Sequence, residues 1–292
     1  MDGALTGTRL AWAGVGRMGA PLCRRLLAAG ATLAVADPNR AAVDAMVAEG
    51  AAASTLADLP RGADAILSTV PNDAALLAVA EAIAPALRPG QTFADLSTVS
   101  PDASARAAGI VAPTGAAYLR LPVSGSTATA ETGALTIFAS GPGDALDRLA
   151  PVLAVLGRET LRLGPAEEAR VAKLLVNLVV AVTPVLIGEA LAFGDRHGLP
   201  RDTALDALSR SVVASPLLAY KMATLRDRDW TPAADVDLLA KDMDLALAAG
   251  LRAGAPMPLT ALARGVSAAF QASGEGDLDF FRASAWHETP PR

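Results

Sequence analysis

Hydrophobic positions in the first half of the chain fall into two kinds of run. Short apolar runs alternate with longer alanine-rich runs of helical spacing, and glycine or proline separates them. This alternation predicts a parallel sheet with helices packed on its faces. The predicted strands lie at residues 10–13, 32–36, 65–70, 92–95, 117–121 and 135–140, and the last two are expected to pair antiparallel.

After residue 164 the strand pattern gives way to helical spacing that continues almost to the end of the chain. We therefore predict an α/β fold: a Rossmann-type, doubly wound, mostly parallel sheet in residues 1–163, followed by an all-α C-terminal domain in residues 164–292. The first helix of that domain is predicted at 167–197, with Gly198 as its C-terminal cap.

The long predicted helix contains an apolar stretch at 174–193 that is long enough to span a bilayer. Polar residues and a proline interrupt the stretch, so we interpret it as a buried helix of a soluble protein that has no membrane partner. A helix of this length, apolar on several faces, is typical of a subunit interface. We therefore expect a homodimer or a homotetramer.

A glycine-rich turn follows the first predicted strand. Gly14, Gly16 and Gly19 have the spacing G-x-G-x-x-G between a strand and a helix, which is typical of a dinucleotide site. Asp37 lies 18 residues after Gly19, at the end of the second predicted strand. An acidic side chain there binds the ribose hydroxyls and repels a 2′-phosphate, which favours NAD. Arg40 could contact such a phosphate, so NADP is the alternative cofactor.

Composition and charge narrow the class of partner. The chain has 25 basic and 30 acidic residues, a formal net charge of -5, which argues against nucleic acid and leaves a small molecule as the expected partner. The single cysteine, Cys23, cannot form an intrachain disulfide, and no cysteine or histidine cluster predicts a metal site. No targeting signal is visible at the N-terminus, so we expect a cytoplasmic protein.

Two polar residues, Lys173 and Asn177, lie one helical turn apart near the start of the long predicted helix. Only three of the 25 basic residues are lysines. Arginine cannot release its proton near neutral pH, whereas a desolvated lysine can, so this rare lysine indicates proton transfer. The alternative is that both residues lie at a solvent-exposed helix start. The two histidines, His197 and His287, are poorly placed for acid–base chemistry.

Five short segments occur in an order that is informative as a set: Gly14-Val-Gly-Arg-Met-Gly-Ala-Pro21, Asp95-Leu-Ser-Thr98, Pro122-Val-Ser-Gly125, Lys173-x-x-x-Asn177 and Lys241-Asp242. In this order they resemble the β-hydroxyacid dehydrogenase family, which includes 3-hydroxyisobutyrate dehydrogenase and tartronate semialdehyde reductase and has a 6-phosphogluconate dehydrogenase-type NAD-binding domain. The resemblance extends over about residues 8–265. The ordered combination is far more specific than any one motif.

The resemblance implies an enzyme that uses NAD or NADP to oxidise a small β-hydroxyacid reversibly to its semialdehyde or keto acid. It implies that Lys173 is the general acid/base and that Asn177 orients the substrate hydroxyl. The implied cofactor contacts are Gly14, Val15, Gly16, Arg17, Met18, Gly19, Asp37, Val70, Pro71 and Lys241. The implied contacts to the substrate and its carboxylate are Ser97, Thr98, Ser124, Gly125 and Ser126.

Several positions depart from the family pattern, and we expect them to alter the substrate pocket. They are Arg120, Ser126, Glu167, Glu168, Val176 and Ala234. Two other functions on the same scaffold are therefore alternatives: an imine reductase, and a catalytically silent dinucleotide-binding protein. The retained Lys173 and Asn177 argue against the imine reductase, which normally lacks this lysine.

Overall fold

The computed structural model describes residues 3–287. The chain divides into two compact units, the first ending at Lys173 and the second beginning at Leu174. The first unit contains a nine-stranded sheet. Among the described residues of the second unit, the regular elements are helices.

The first unit alternates strands with helices along most of its length. Its strands and α-helices are β1 (Arg9–Ala13), α1 (Gly19–Ala28), β2 (Thr32–Ala36), α2 (Arg40–Ala48), β3 (Ala52–Ala53), β4 (Ala65–Ser68), α3 (Asp73–Ile83), β5 (Thr92–Asp95), α4 (Pro101–Val111), β6 (Ala117–Arg120), β7 (Val123–Ser124), α5 (Thr127–Thr132), β8 (Leu135–Ser140), α6 (Gly143–Leu156) and β9 (Gly157–Gly164). Short 3₁₀ helices at Leu56–Asp58, Ala84–Ala86 and Ala112–Thr114 connect some of them.

The strand order in the sheet is β3-β2-β1-β4-β5-β6-β8-β7, and β9 pairs with β8. Neighbouring strands from β3 to β6 pair in parallel. Arg120 of β6 lies opposite Ser140 of β8 in an antiparallel pair. The mostly parallel sheet and the antiparallel pair are therefore confirmed. The strand pattern did not predict β3, β7 or β9.

Both faces of the sheet are buried, because successive residues of β1 enter different cores. Leu10 and Trp12 belong to one buried cluster, which also contains residues of α1 and α6. Ala11 and Ala13 belong to the other, with residues of α3 and α4. Burial on both faces explains why the central strands are continuously apolar instead of alternating with polar residues.

The second unit consists largely of helices around its own apolar core. The helices are α7 (Glu168–Arg196), whose first residues belong to the first unit, then α8 (Arg201–Ser209), α9 (Pro216–Asp227), α10 (Val236–Ala253) and α11 (Pro258–Ala272). A 3₁₀ helix, Phe280–Ala285, follows. The core includes Leu205, Met243 and Phe281. The observed α7 is close to the predicted helix at 167–197, and Gly198 after it has a positive φ of 76°.

Among residues 3–287, α7 is the one helix that is long and apolar enough to cross a membrane by length and composition. Only 39% of its most apolar stretch is buried, which differs from the buried helix that the sequence predicts. The exposed side carries large apolar residues at helical spacing: Leu175, Val179, Leu186 and Phe193 are each at least 60% exposed. Their spacing of four or seven residues places them along one face of the helix.

Candidate active site

The three motif glycines after β1 have different structural roles. Gly14 has a φ of 90°, and a Cβ there would collide with the backbone oxygen of Thr69. A Cβ at Gly19 would collide with the backbone oxygen of Gly14, so this close approach of α1 to the turn requires glycine. A Cβ at Gly16 would meet no atom within 4 Å. Gly14 and Gly19 therefore shape the turn, while Gly16 leaves its surface open.

The carboxylate of Asp37 is held beside this turn. Its Oδ2 accepts a hydrogen bond from the backbone N–H of Val15 at 2.8 Å, and its Oδ1 accepts one from the N–H of Asn39 at 2.7 Å. The side chain of Arg40 forms an exposed ion pair with Asp44, one turn later in α2, at 3.1 Å. The acidic group thus lies next to the glycine turn, and the nearby arginine is paired within its own helix.

The hydroxyl of Ser97 links the chain segments that follow β4 and β5. Its Oγ donates to Asp95 Oδ1 at 2.7 Å and accepts from the backbone N–H of Val70 at 2.8 Å. Ser97 is buried, Thr98 and Val70 are half-buried, and Pro71 is exposed. The hydroxyl that was expected to contact a substrate carboxylate therefore already has an acceptor and a donor within the protein.

A buried arginine that the sequence analysis did not select lies at the start of α7. Arg170 is 1% exposed. Its guanidinium donates to Asp95 Oδ2 at 2.6 Å and to the backbone oxygen of Ser97 at 2.7 Å. It also donates to the hydroxyls of Ser104 and Tyr118. Burial raises the pKa of the Tyr118 hydroxyl, so this group stays protonated at neutral pH.

Two of the departures from the family pattern contact each other. Arg120 donates from Nε and Nη2 to the same oxygen of Glu167, at 2.8 and 2.5 Å. The arginine side chain is 9% exposed and lies over the ring of Tyr118. A buried arginine needs a carboxylate partner, so the two replacements compensate for each other. Nothing in the sequence indicates this pairing, which spans 47 positions.

The segment expected to hold a substrate carboxylate forms a tight turn between β7 and α5. Gly125 has a φ of 144°, and a Cβ there would collide with Thr129 Oγ1. Ser126 caps α5: its backbone N–H donates to Thr129 Oγ1 at 2.7 Å, and its hydroxyl accepts from the N–H of Thr129. Ser124 and Ser126 are half-buried. The serine that replaces a family glycine is therefore used as a helix cap.

Within the second unit, one carboxylate joins two of the predicted site residues. Asn177 Nδ2 donates to Asp242 Oδ2 at 2.6 Å, and Lys241 Nζ lies 2.9 Å from Asp242 Oδ1. Asp242 is 4% exposed. In the sequence, the Lys241-Asp242 motif is the only signal for Asp242. From the sequence alone, this carboxylate resembles one half of a surface ion pair.

Lys173 is half-buried and lies on α7, one turn before Asn177. The i,i+4 spacing on a continuous helix places these two residues on the same face, as the sequence predicts. The two histidines contact other residues. His197 follows the end of α7, and its Nδ1 lies 2.8 Å from the backbone oxygen of Phe193. His287 Nε2 lies 4.0 Å from a carboxylate oxygen of Glu189.

Two known sequence families together match nearly the whole chain. Residues 9–164 match the family described as the NAD binding domain of 6-phosphogluconate dehydrogenase. Residues 168–286 match the one described as NAD-binding of NADP-dependent 3-hydroxyisobutyrate dehydrogenase. The chain belongs to the β-hydroxyacid dehydrogenase family. The resemblance that the motifs indicate is therefore confirmed.

Individual members of the family are similar over almost their full length. The 2-(hydroxymethyl)glutarate dehydrogenase of Eubacterium barkeri is 30% identical, with 93% of this chain and 92% of the relative covered. The NAD-dependent L-serine dehydrogenase of Pseudomonas aeruginosa is 31% identical, with 93% and 95% covered. The solved structure of Mycobacterium tuberculosis 3-hydroxyisobutyrate dehydrogenase with L-serine has a TM-score of 0.90 at 26% identity, with 97% of this chain and 99% of that chain covered.

This β-hydroxyacid dehydrogenase is thus an oxidoreductase that uses a nicotinamide dinucleotide and acts on the CH–OH group of a small hydroxyacid. The expected α/β fold with a helical C-terminal domain is also confirmed. An imine reductase from Pseudomonas sp. has a TM-score of 0.60 at 22% identity, which shows a shared fold alone.

Proposed function

We propose that Lys173 is the general acid/base of this β-hydroxyacid dehydrogenase and that Asn177 orients the substrate hydroxyl. The observation that carries the proposal is the hydrogen bond from Asn177 Nδ2 to Asp242. An ionised carboxylate only accepts hydrogen bonds, so the amide group must turn its NH₂ towards Asp242 and its Oδ1 away from it. The amide next to Lys173 on the same helical face therefore has one defined orientation.

The proton chemistry follows from the properties of lysine. In the oxidation, neutral Lys173 accepts the proton of the substrate hydroxyl at Nζ. In the reduction, the protonated Nζ returns the proton to the carbonyl oxygen. The bound nicotinamide dinucleotide supplies the hydride exchange at the carbinol carbon. Thr98 and the turn at 124–126 of the first unit hold the substrate and its carboxylate. The Ser97 hydroxyl, whose proton is donated to Asp95, holds the neighbouring Val70 segment.

The glycine turn fits a dinucleotide. A pyrophosphate requires close approach to backbone N–H groups at the start of a helix, and the surface above Gly16 is open. Met18, the N-cap of α1, makes no side-chain hydrogen bond to the first turn. The residues that would hold the cofactor are the turn at 14–19, Asp37, Val70, Pro71 and Lys241.

We propose that NAD is preferred to NADP, because Asp37 is held beside the glycine turn. Replacing Asp37 with alanine is expected to raise the KM for NAD by about tenfold, through the loss of hydrogen bonds from the ribose to a carboxylate. The same variant is expected to use NADP better than the wild type does. Steady-state kinetics with both cofactors measures the preference.

The control is Asp64→Ala, which removes a surface carboxylate paired with Arg9. An unchanged preference in Asp37→Ala would refute this role.

We further propose a homodimer or homotetramer in which the exposed apolar face of α7 is covered by another subunit. A contiguous apolar face of this kind marks an interaction surface. Replacing Leu186 with aspartate is expected to produce monomers, because the charge would be buried without a partner. Light scattering measures the mass in solution. The control is Val47→Asp on α2, which is expected to keep the wild-type mass. A monomeric wild type would contradict the proposal.

A cytoplasmic location is also a proposal. It is supported by the chemistry of the one cysteine, since Cys23 is buried and its burial raises the pKa of the thiol. Such a thiol is protonated and unreactive, as in a protein that does not depend on disulfides. Cell fractionation tests the location, and recovery in a secreted or membrane fraction would argue against it.

A further inference from the structure

The buried arginine at the start of α7 suggests a role beyond holding the fold. The guanidinium of Arg170 is removed from water, and the cost of this burial must be offset by hydrogen bonds and by an opposite charge. Asp95 supplies the charge, and Ser97, Ser104 and Tyr118 supply further acceptors. These four residues come from the end of β5 and the segment after it, from α4 and from β6, so one planar group holds several elements to α7.

The second oxygen of the Asp95 carboxylate extends the network towards the cofactor segment. Oδ1 accepts hydrogen bonds from the hydroxyls of Ser68 and Ser97, at 2.6 and 2.7 Å. Ser97 in turn accepts from the backbone N–H of Val70. A continuous chain of hydrogen bonds therefore runs from the Val70 segment through Ser97 and Asp95 to Arg170. All of these residues belong to the first unit.

Lys173 lies three residues after Arg170 on the same helix, so the turn that carries the proposed acid/base is the turn that this network fixes. We infer that Arg170 is a positioning residue: paired with Asp95, it sets the location of Lys173 relative to Ser97 and the Val70 segment. The inference rests on the proposed role of Lys173. A buried ion pair is often no more stabilising than well-packed apolar residues, which makes positioning the better reason for its presence.

The test is Arg170→Met, which keeps much of the side-chain volume and removes the charge and all donors. We expect kcat to fall about 100-fold, the cost of a misplacement on the order of 1 Å in the catalytic group. The KM for the hydroxyacid and the Kd for NAD are expected to change by less than about threefold, since the loss lies in the transition state. A loss of fold alone would instead lower the amount of active enzyme and leave kcat per active site unchanged.

The matched control is Lys221→Met. Lys221 and Asp279 form another buried ion pair, with side chains 3% and 0% exposed, within the second unit. This variant is expected to be destabilised in a similar way but to keep kcat within about a factor of two. Lys221 donates to Asp279, and within residues 3–287 it bonds to none of the predicted site residues. If Arg170→Met does not fold, Arg170→Lys serves instead: the ammonium keeps the charge beside Asp95 but not the planar fork, and kcat is expected to fall about tenfold.

A double-mutant cycle distinguishes the positioning role inferred for Arg170 from the acid/base role proposed for Lys173. If Arg170 acts through Lys173, adding Arg170→Met to Lys173→Ala causes no further loss of the residual rate. A further loss of the full size, or wild-type kcat in a folded Arg170 variant while Lys173→Ala is inactive, would overturn the positioning role alone. Near-normal turnover of Lys173→Ala would instead overturn the proposed function.

Discussion

Replacing Lys173 with alanine is expected to lower kcat by about 10³-fold, because the variant has no group at this position to exchange the proton of the substrate hydroxyl. The affinity for NAD is expected to stay near that of the wild type, since the glycine turn and Asp37 are unchanged. Formation of NADH, followed by its absorbance, measures turnover, and titration of the protein fluorescence with NAD measures binding.

Lys173→Arg is the matched variant for this experiment. It keeps a cation on a long side chain, but a guanidinium cannot give up its proton near neutral pH, so turnover is expected to be lost as in the alanine variant. Recovery of most of the activity by arginine would show that position 173 supplies a charge and not a proton. Turnover of the alanine variant within about tenfold of the wild type would place the acid/base elsewhere.

Replacing Gly16 with alanine is expected to weaken NAD binding about 100-fold, because the added Cβ occupies the surface that a pyrophosphate must approach to reach the backbone. The free protein should keep its stability, with Tm within about 2 °C of the wild type, since that Cβ meets no atom within 4 Å. Calorimetric titration with NAD and thermal unfolding of the same sample measure the two quantities.

Gly109→Ala is the matched control for the glycine turn. Gly109 is exposed within α4, and a Cβ there also meets no atom within 4 Å. The change removes a glycine from a helix, so we expect a small gain in stability and unchanged NAD affinity. If Gly16→Ala bound NAD as tightly as Gly109→Ala, the turn would not be the pyrophosphate site.

The sequence predicted the central strands better than the edges of the sheet. The bounds of β2, β5 and β8 agree with the predicted strands, because continuous apolar runs between glycines and polar residues suit strands that are buried on both faces. β9 was missed, since Arg158, Glu159 and Arg162 give it a polar composition. β7 has only two residues, which is too short for any periodicity to be visible.

The residues of the candidate site also fall into two groups: those that the sequence reveals and those that only the fold reveals. Residues in local motifs, such as Gly14, Asp37 and Lys173, could be selected because spacing along the chain carries the signal. Arg170 could not be selected, since its main partner Asp95 is 75 positions away and only the folded sheet brings them together. The same holds for the compensating pair of Arg120 and Glu167 and for the bond from Asn177 to Asp242.

The most direct measurement of the central claim compares the wild type with Lys173→Ala on a set of hydroxyacids, with NADH formation as the readout. The set contains 3-hydroxyisobutyrate, L-serine, L-threonate and 2-(hydroxymethyl)glutarate, which the names of the relatives suggest. We predict that the wild type oxidises at least one of these acids with NAD and that Lys173→Ala, which still binds NAD, oxidises none at a comparable rate. Oxidation of the same acid at the same rate by both proteins would contradict the account.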